Sequence, residues 1–439
     1  NTYVSQNLGA GRPERGAAYA WNGLWLGAGV WLLVLVPYGF LLPHVFDGMR
    51  SLILDNPGAI PGPVLEMEVT YGRILVLGML FTICARGLSH YFYGMHRPWV
   101  VMVSAIAANV VNIVLCWLMV ADRFGWSLGV AGAGYSTVIG GVIELAIPFA
   151  VMLSPRWHRL YRTRSQWRPS LSHMRDLFRI GWPAGVMWGN EIVCWWIFMS
   201  GLVPSFDEGR RIPVNNAAGW AVLQYMHLSF MPAVGLSIAV TAIVGKCVGM
   251  GRHDLAARRA WFWMGITMGY MGLCALCFVF FGHAMIGLFV DAREIAESAT
   301  VTLDAGEAEA AAAEIVNLGA RLLILAAVFQ LFDAVAITLS GALRGAGDTI
   351  WPGVYTVVLS WTLIVAGGWT MVHSWPELGA TGPWIMAAAY IIVLAIALFR
   401  RFIGGGWKRL KLVRLAEEGH DPGEFGFSFQ GSETEMNSP

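Results

Sequence analysis

Residues 4–21, VSQNLGAGRPERGAAYAW, return 240 positions later as VGKCVGMGRHDLAARRAW at 244–261. Seven of the eighteen positions are identical: Val4/Val244, Gly9/Gly249, Gly11/Gly251, Arg12/Arg252, Ala17/Ala257, Ala20/Ala260 and Trp21/Trp261. Both copies are a glycine-rich basic loop that opens onto a long apolar stretch. LGVAGAGYS at 128–136 and LGATGPWIM at 378–386 echo each other at an offset of 250, through Leu128/Leu378, Gly129/Gly379 and Gly132/Gly382. Such a repeat constrains a fold more than any local pattern, because each copy must build the same unit. In a membrane it points to a transporter whose pathway runs between the copies.

The membrane setting follows from composition. Hydrophobic residues make up 56% of the chain and charged residues 13%, about half the charged share of soluble domains. Ten apolar runs are long enough to cross a bilayer: 17–42, 69–93, 98–121, 128–153, 180–203, 216–244, 256–281, 315–342, 350–372 and 378–401. They are unbroken rather than alternating, which selects helices and excludes a barrel. If sides alternate at each span, segments on the side of the first loop hold 21 of the 29 Lys and Arg residues and the opposite segments five. That split makes the first side cytoplasmic and places Asp291–Glu314 outside. The expected location is the plasma membrane, multi-pass, with the C-terminus inside. The net charge of +1 gives no basic footprint for nucleic acid. Cys274 and Cys277 form a CxxC, but they lie mid-span without nearby histidines and read as packing residues.

The repeat also sets the organisation. The second copy of the loop follows two spans, 180–203 and 216–244, so two further helices are expected before Asn1. The expected fold is all-α and integral to the membrane. It consists of two six-helix lobes in a parallel pseudo-two-fold repeat, about ten helices being present in this chain. Residues 1–153 form the first lobe, 154–179 a cytoplasmic basic linker, 180–401 the second lobe and 402–439 a cytoplasmic tail. GGGWKRLKLVRL suits an interfacial anchor, and the rest of the tail is polar and expected to be disordered.

Ionisable groups within spans are costly to insert, by about 2.5–3.5 kcal/mol each at the bilayer centre, and are functional by default. Three carboxylates qualify: Glu144, Glu191 and Asp333. Helical spacing puts Met187, Trp188, Cys194, Trp195 and Phe198 on the face of Glu191, and Phe329, Gln330, Ile337 and Ser340 on that of Asp333. Trp188, Trp195, Phe329, Gln330 and Glu144 are therefore candidate cavity residues. The Glu191–Asp333 pair can hold Na⁺ through oxygen ligands, hold a proton, or attract a cationic substrate to an aromatic wall. Arg86 and His90 share a helix face and are candidates either to partner Glu144 or to reach the inner interface. Arg73 and Arg321 lie where snorkelling is cheap. Asn109 and Asn112 read as interhelical hydrogen-bonding residues. No protein cofactor is implied.

VSQNLGAGRPERG, GVAGAGYSTVI, VGKCVGMGRHDLAARRA and above all FDAVAITLSGALRGAGDT resemble the multidrug and toxic compound extrusion (MATE) family, in its NorM-like branch, across residues 3–401. The resemblance implies twelve helices in two lobes, alternating access, and export of organic cations against a Na⁺ or H⁺ gradient. It also implies cation coupling at a glutamate and an aspartate matched here by Glu191 in WGNEIV and Asp333 in QLFDAV. The aromatic residue one turn before that aspartate is matched by Phe329. The acid is not duplicated, because the repeat counterpart of Asp333 is Thr82. Ala217-Ala218-Gly219-Trp220 departs from the usual run at the start of its helix, and the outer loop around 291–314 is longer and more acidic than usual. The expected protein is a monomeric antiporter of small amphipathic cations. Its rivals are a lipid-linked oligosaccharide flippase, which would need a basic cavity, and an intramembrane enzyme, which would need a nucleophile or metal cluster.

Overall fold

Long apolar segments in a bilayer must satisfy every backbone N–H and C=O internally, and the chain does so with helices. The computed structural model describes residues 1–53, 62–120, 128–290, 305–410 and 412, and among them every regular element is helical. Helix α1 is Thr2–Gly9. Then come α2 Pro13–Phe46, α3 Val64–Gly94, α4 Pro98–Val120 and α5 Gly129–Leu153. The short α6, Pro155–Tyr161, follows. The remaining spans are α7 Leu171–Asp207, α8 Val214–Gly249, α9 His253–Gly287, α10 Gly306–Ala346, α11 Ile350–Ser374 and α12 Thr381–Ile403. Ten of these are long and apolar enough to cross a membrane, and each overlaps one of the runs read from sequence. The segment 291–304 and most of the tail, 411 and 413–439, lie outside the described residues.

Two spans start earlier than hydropathy indicates. α7 begins at Leu171, so the basic connection between lobes ends at 170 and not 179. Its first turns carry Arg175, Asp176 and Arg179, an amphipathic stretch that a hydropathy criterion discards. α10 begins near 305 because AGEAEAAAAE is polar yet rich in strong helix formers.

α1 to α5 form one lobe and α7 to α12 the other, and the repeat is reproduced contact by contact. Trp21 meets Phe149 edge-on with ring centroids 5.8 Å apart, and Trp261 meets Phe399 the same way at 5.6 Å. Gly11 and Gly251 both adopt φ of 73° at the loop between paired helices, a left-handed conformation that disfavours side chains. His96 and Gly347, which correspond at offset 251, are both left-handed as well. Trp157 and Trp407, at offset 250, are both buried beneath the last span of their lobe. The second lobe has the larger core, built around Phe198, Phe329, Trp384 and Leu398. The first is centred on Leu88, Phe92, Met95 and Met152.

The lobes meet along a seam at the end that carries the basic loops. Thr2 donates to the Arg344 carbonyl (2.8 Å) and Gln6 to the Gly345 carbonyl (2.9 Å). Tyr19 donates to Asp176 (2.9 Å), and the Ser170 N–H donates to Asn22 (2.7 Å). Gly9 abuts the Lys246 backbone, and Gly249 abuts that of Gln6. Subtracting 240 maps one of these contacts onto the other, so the seam is self-complementary in the manner of a two-fold interface.

Two polar devices fix the second lobe. At the end away from the basic loops, both carboxylate oxygens of Asp207 accept from the first turn of α8, at Asn215 N (3.0 Å) and Asn216 N (2.8 Å). At the basic end, Asp348, 4% exposed, accepts from Arg401 Nε at 2.8 Å. Arg401→Gln should cost about 1.5–3 kcal/mol, the usual worth of a charged hydrogen bond with a buried acceptor. A lowered thermal midpoint of the purified protein checks this, and an unchanged midpoint would show that the pair contributes nothing.

Candidate functional site

The second lobe brings Glu191 and Asp333 together from α7 and α10. The two carboxylates are within electrostatic reach of each other, and both are within reach of Tyr390 on α12. Tyr390 Oη donates to Glu191 Oε1 at 3.0 Å, and Thr356 of α11 adjoins the same hydroxyl. Among the described residues neither carboxylate forms an ion pair. Two unpaired acids within electrostatic reach of each other need a shared proton or a bound cation to be tolerated at this depth. Glu191, Asp333 and the Tyr390 hydroxyl supply the oxygen ligands that a hard cation prefers.

Asn190, one residue before Glu191, locks this part of α7 to α11. Its amide donates to Ser360 Oγ (2.7 Å) and accepts from Trp361 Nε1 (2.7 Å). Ser360 opens a π-helical stretch, Ser360–Gly367, a rare helical form found frequently at functional sites. Tyr390, Asn190 and Ser360 were not singled out in sequence. Tyr390 sits 199 positions from its partner, and a tyrosine in an apolar run reads as an interface residue unless the fold is known.

The other candidates are placed as follows. Trp195 packs against Phe198 and Trp384 beside the site, while Trp188 is 41% exposed. Phe329 is fully buried in the lobe core, and Gln330, 2% exposed, donates to Ser229 Oγ at 2.8 Å. In this conformation both are therefore packing and helix-joining residues with no surface in the cleft. Glu144 lies in the first lobe, 4.0 Å from Arg86, so the site does not include it. Arg73 does more than snorkel, since its Nε donates to the Gly39 carbonyl at 3.3 Å. Asn112 bonds Thr137 of the next helix, but Asn109 bonds its own helix at Ala105. Cys274 and Cys277 are free thiols, and no metal-binding cluster of His, Cys, Asp and Glu is found among the described residues.

Tyr390→Phe removes the one hydroxyl shown to hold Glu191. Losing a hydrogen bond to a charged acceptor is worth about 1.5–3 kcal/mol, or roughly ten- to a hundredfold in affinity. The affinity of the pair for Na⁺ or a proton should shift by at least about tenfold, measured by titrating the purified protein, with folding retained.

A bundle of ten membrane-capable helices with two unpaired carboxylates inside it is an architecture suited to a membrane transporter. The MatE family model matches residues 1–118 and 213–305. A probable multidrug resistance protein NorM from Thermotoga maritima is 26% identical over 424 residues, covering 94% of this chain and 81% of that protein. Its namesake from Pseudomonas syringae pv. tomato is 28% identical over 425 residues, covering 94% and 83%. A solved multidrug resistance MATE family transporter of the MOP superfamily, in an outward-facing conformation, superposes with a TM-score of 0.76. It is 19% identical, over 93% of this chain and 83% of that one. The chain is thus similar to the MatE family model over its two matched segments, to NorM-named proteins along most of its length, and to MATE structures in fold.

Proposed function

We propose that the protein is a multidrug efflux antiporter, exporting small amphipathic cations in exchange for Na⁺ or H⁺. The observation that carries this reading is the unpaired Glu191–Asp333 pair beside Tyr390. Relatives named as probable multidrug resistance proteins support the substrate class. An ion shifts a conformational equilibrium only if it binds one state better than the other, and α7 offers the physical link. That helix carries Glu191 at the site and, fifteen residues earlier, Asp176 at the seam. These positions are roughly 22 Å apart along one helix, with Pro183 between them. Occupying the site neutralises the carboxylates, alters the hold of Tyr390 and Asn190 on α7, and so biases the Tyr19–Asp176 contact between lobes. Opening of the seam then exposes the cleft to the basic-loop side for substrate loading.

The test is efflux of a fluorescent organic cation from vesicles carrying the protein, under imposed Na⁺ and H⁺ gradients applied separately. Acceleration by one gradient names the coupling ion. Equal, gradient-independent leakage in both would refute antiport.

A further inference from the structure

The second copy of the repeated loop carries histidine and arginine where the first copy carries proline and alanine. Where α9 begins, Gly251, Arg252, His253, Asp254, Leu255 and Arg258 line an open cavity of about 470 Å³. It lies at the basic-loop end of the lobe, at the opposite end of α8 from the Asp207 cap and away from the Glu191–Asp333 pair. Arg252 and Arg258 are exposed and, among the described residues, neither forms an ion pair. No side chain caps the first turn of α9, which leaves its N–H groups and the positive end of its dipole beside the two guanidinium groups. His253 sits edge-on to Trp407 at 6.1 Å, and its buried Nδ1 has no hydrogen-bond partner. The one acid in the lining, Asp254, is turned to Lys408 at 3.7 Å. Lys408 lies 5.8 Å from the Trp407 ring centroid, so a further cation stands at the rim.

The repeat provides an internal comparison. At offset 240 the first copy has Pro13 in place of His253 and Ala18 in place of Arg258. The backbone of the loop is shared, down to the φ of 73° at Gly11 and Gly251. Arg252 is shared as Arg12, but His253 and Arg258 have no counterpart in the first copy. A structural requirement of the fold would be expected in both copies.

We propose that this cavity binds a phosphate group at the membrane surface, contacted by Arg252 and Arg258, the start of α9 and His253. Guanidinium forks pair with phosphate oxygens through short, charge-assisted bonds. A basic pocket on the cytoplasmic face beside a buried tryptophan suits the headgroup of an anionic phospholipid, whose leaflet already concentrates negative charge there. The same chemistry would hold free phosphate, so the test must separate the two sources.

The intact protein in detergent is titrated with dihexanoylphosphatidylglycerol, dihexanoylphosphatidylcholine or inorganic phosphate while its thermal midpoint is followed. The expected result is a saturable rise with phosphatidylglycerol that exceeds the rise with phosphatidylcholine. The Arg252→Gln/Arg258→Gln double variant should need at least about tenfold more of it. Arg258→Ala, which installs the residue of the first copy, should show a smaller loss, and Arg15→Gln in the equivalent loop none. An inorganic phosphate response as strong as that to phosphatidylglycerol, and lost in the double variant, would assign the site to free phosphate. Equal responses to the two lipids, or a double variant that titrates like the wild type, would overturn the proposal.

Discussion

Glu191→Gln and Asp333→Asn should each abolish ion-driven efflux, with losses on the order of a hundredfold, and the double variant should be no worse than either single one. Groups that act as one unit are strongly non-additive, because removing the first already removes the function. Here the unit is physical: two carboxylates on α7 and α10 feel each other and share Tyr390 as a neighbour. Neither has an ion-pair partner among the described residues. Both substitutions keep the shape and hydrogen-bonding capacity of the side chain while removing a like charge, so folding should be retained or improved. Efflux rate and thermal midpoint measured on the same preparations separate lost coupling from lost structure. If the losses in two folded single variants multiply in the double, the carboxylates act independently and the shared site is wrong. If either folded variant transports at the wild-type rate, that residue does not couple.

The architecture was legible because its determinants are periodic. Ten apolar runs announced ten helices, and the Val4–Trp21 echo announced that Trp21 and Trp261 would do the same work, as their matching contacts with Phe149 and Phe399 show. Glu191 and Asp333 stood out for a different reason, the cost of charge in hydrocarbon. What stayed hidden were residues whose role depends on a partner far away in sequence. Tyr390 and Asn190 are ordinary members of apolar helices until α12 and α11 are laid beside α7. Phe329 and Gln330 were read as cavity residues from helical spacing, which gives the face of a residue on its own helix but not what covers that face. The structure covers both, with the lobe core and with Ser229 of α8. The beginning of α7 was missed because amphipathic turns at a membrane surface carry charges, and Asp176, which holds the seam, is one of those charges.

Gly9→Ala and Gly249→Ala should each force the seam open, and by similar amounts. A Cβ at Gly9 would stand 3.0 Å from the Lys246 carbonyl carbon, closer still to its oxygen, and 3.1 Å from Met250 N. At Gly249 it would stand 2.8 Å from both Cα and C of Gln6. Every one of these atoms is backbone, in α1 or at the end of α8, so no rotamer change relieves the overlap. The lobes must separate, and the bonds from Thr2 to the Arg344 carbonyl and from Gln6 to the Gly345 carbonyl are lost with them. Steric overlap of this kind costs about 1–3 kcal/mol, which shifts a two-state equilibrium by roughly five- to a hundredfold. The cost falls only on the conformation with the seam closed, so each lobe should keep its own packing. Spin labels at the exposed positions Arg15 and Arg175, on α2 and α7, should report a longer distance in both variants. In the proposed antiport cycle, which passes through the closed state, efflux should fall. Because one contact maps onto the other by the repeat, the two variants form a matched pair. A large effect from one and none from the other would show that the two halves of the seam do not bear the closure equally, whatever their sequences share.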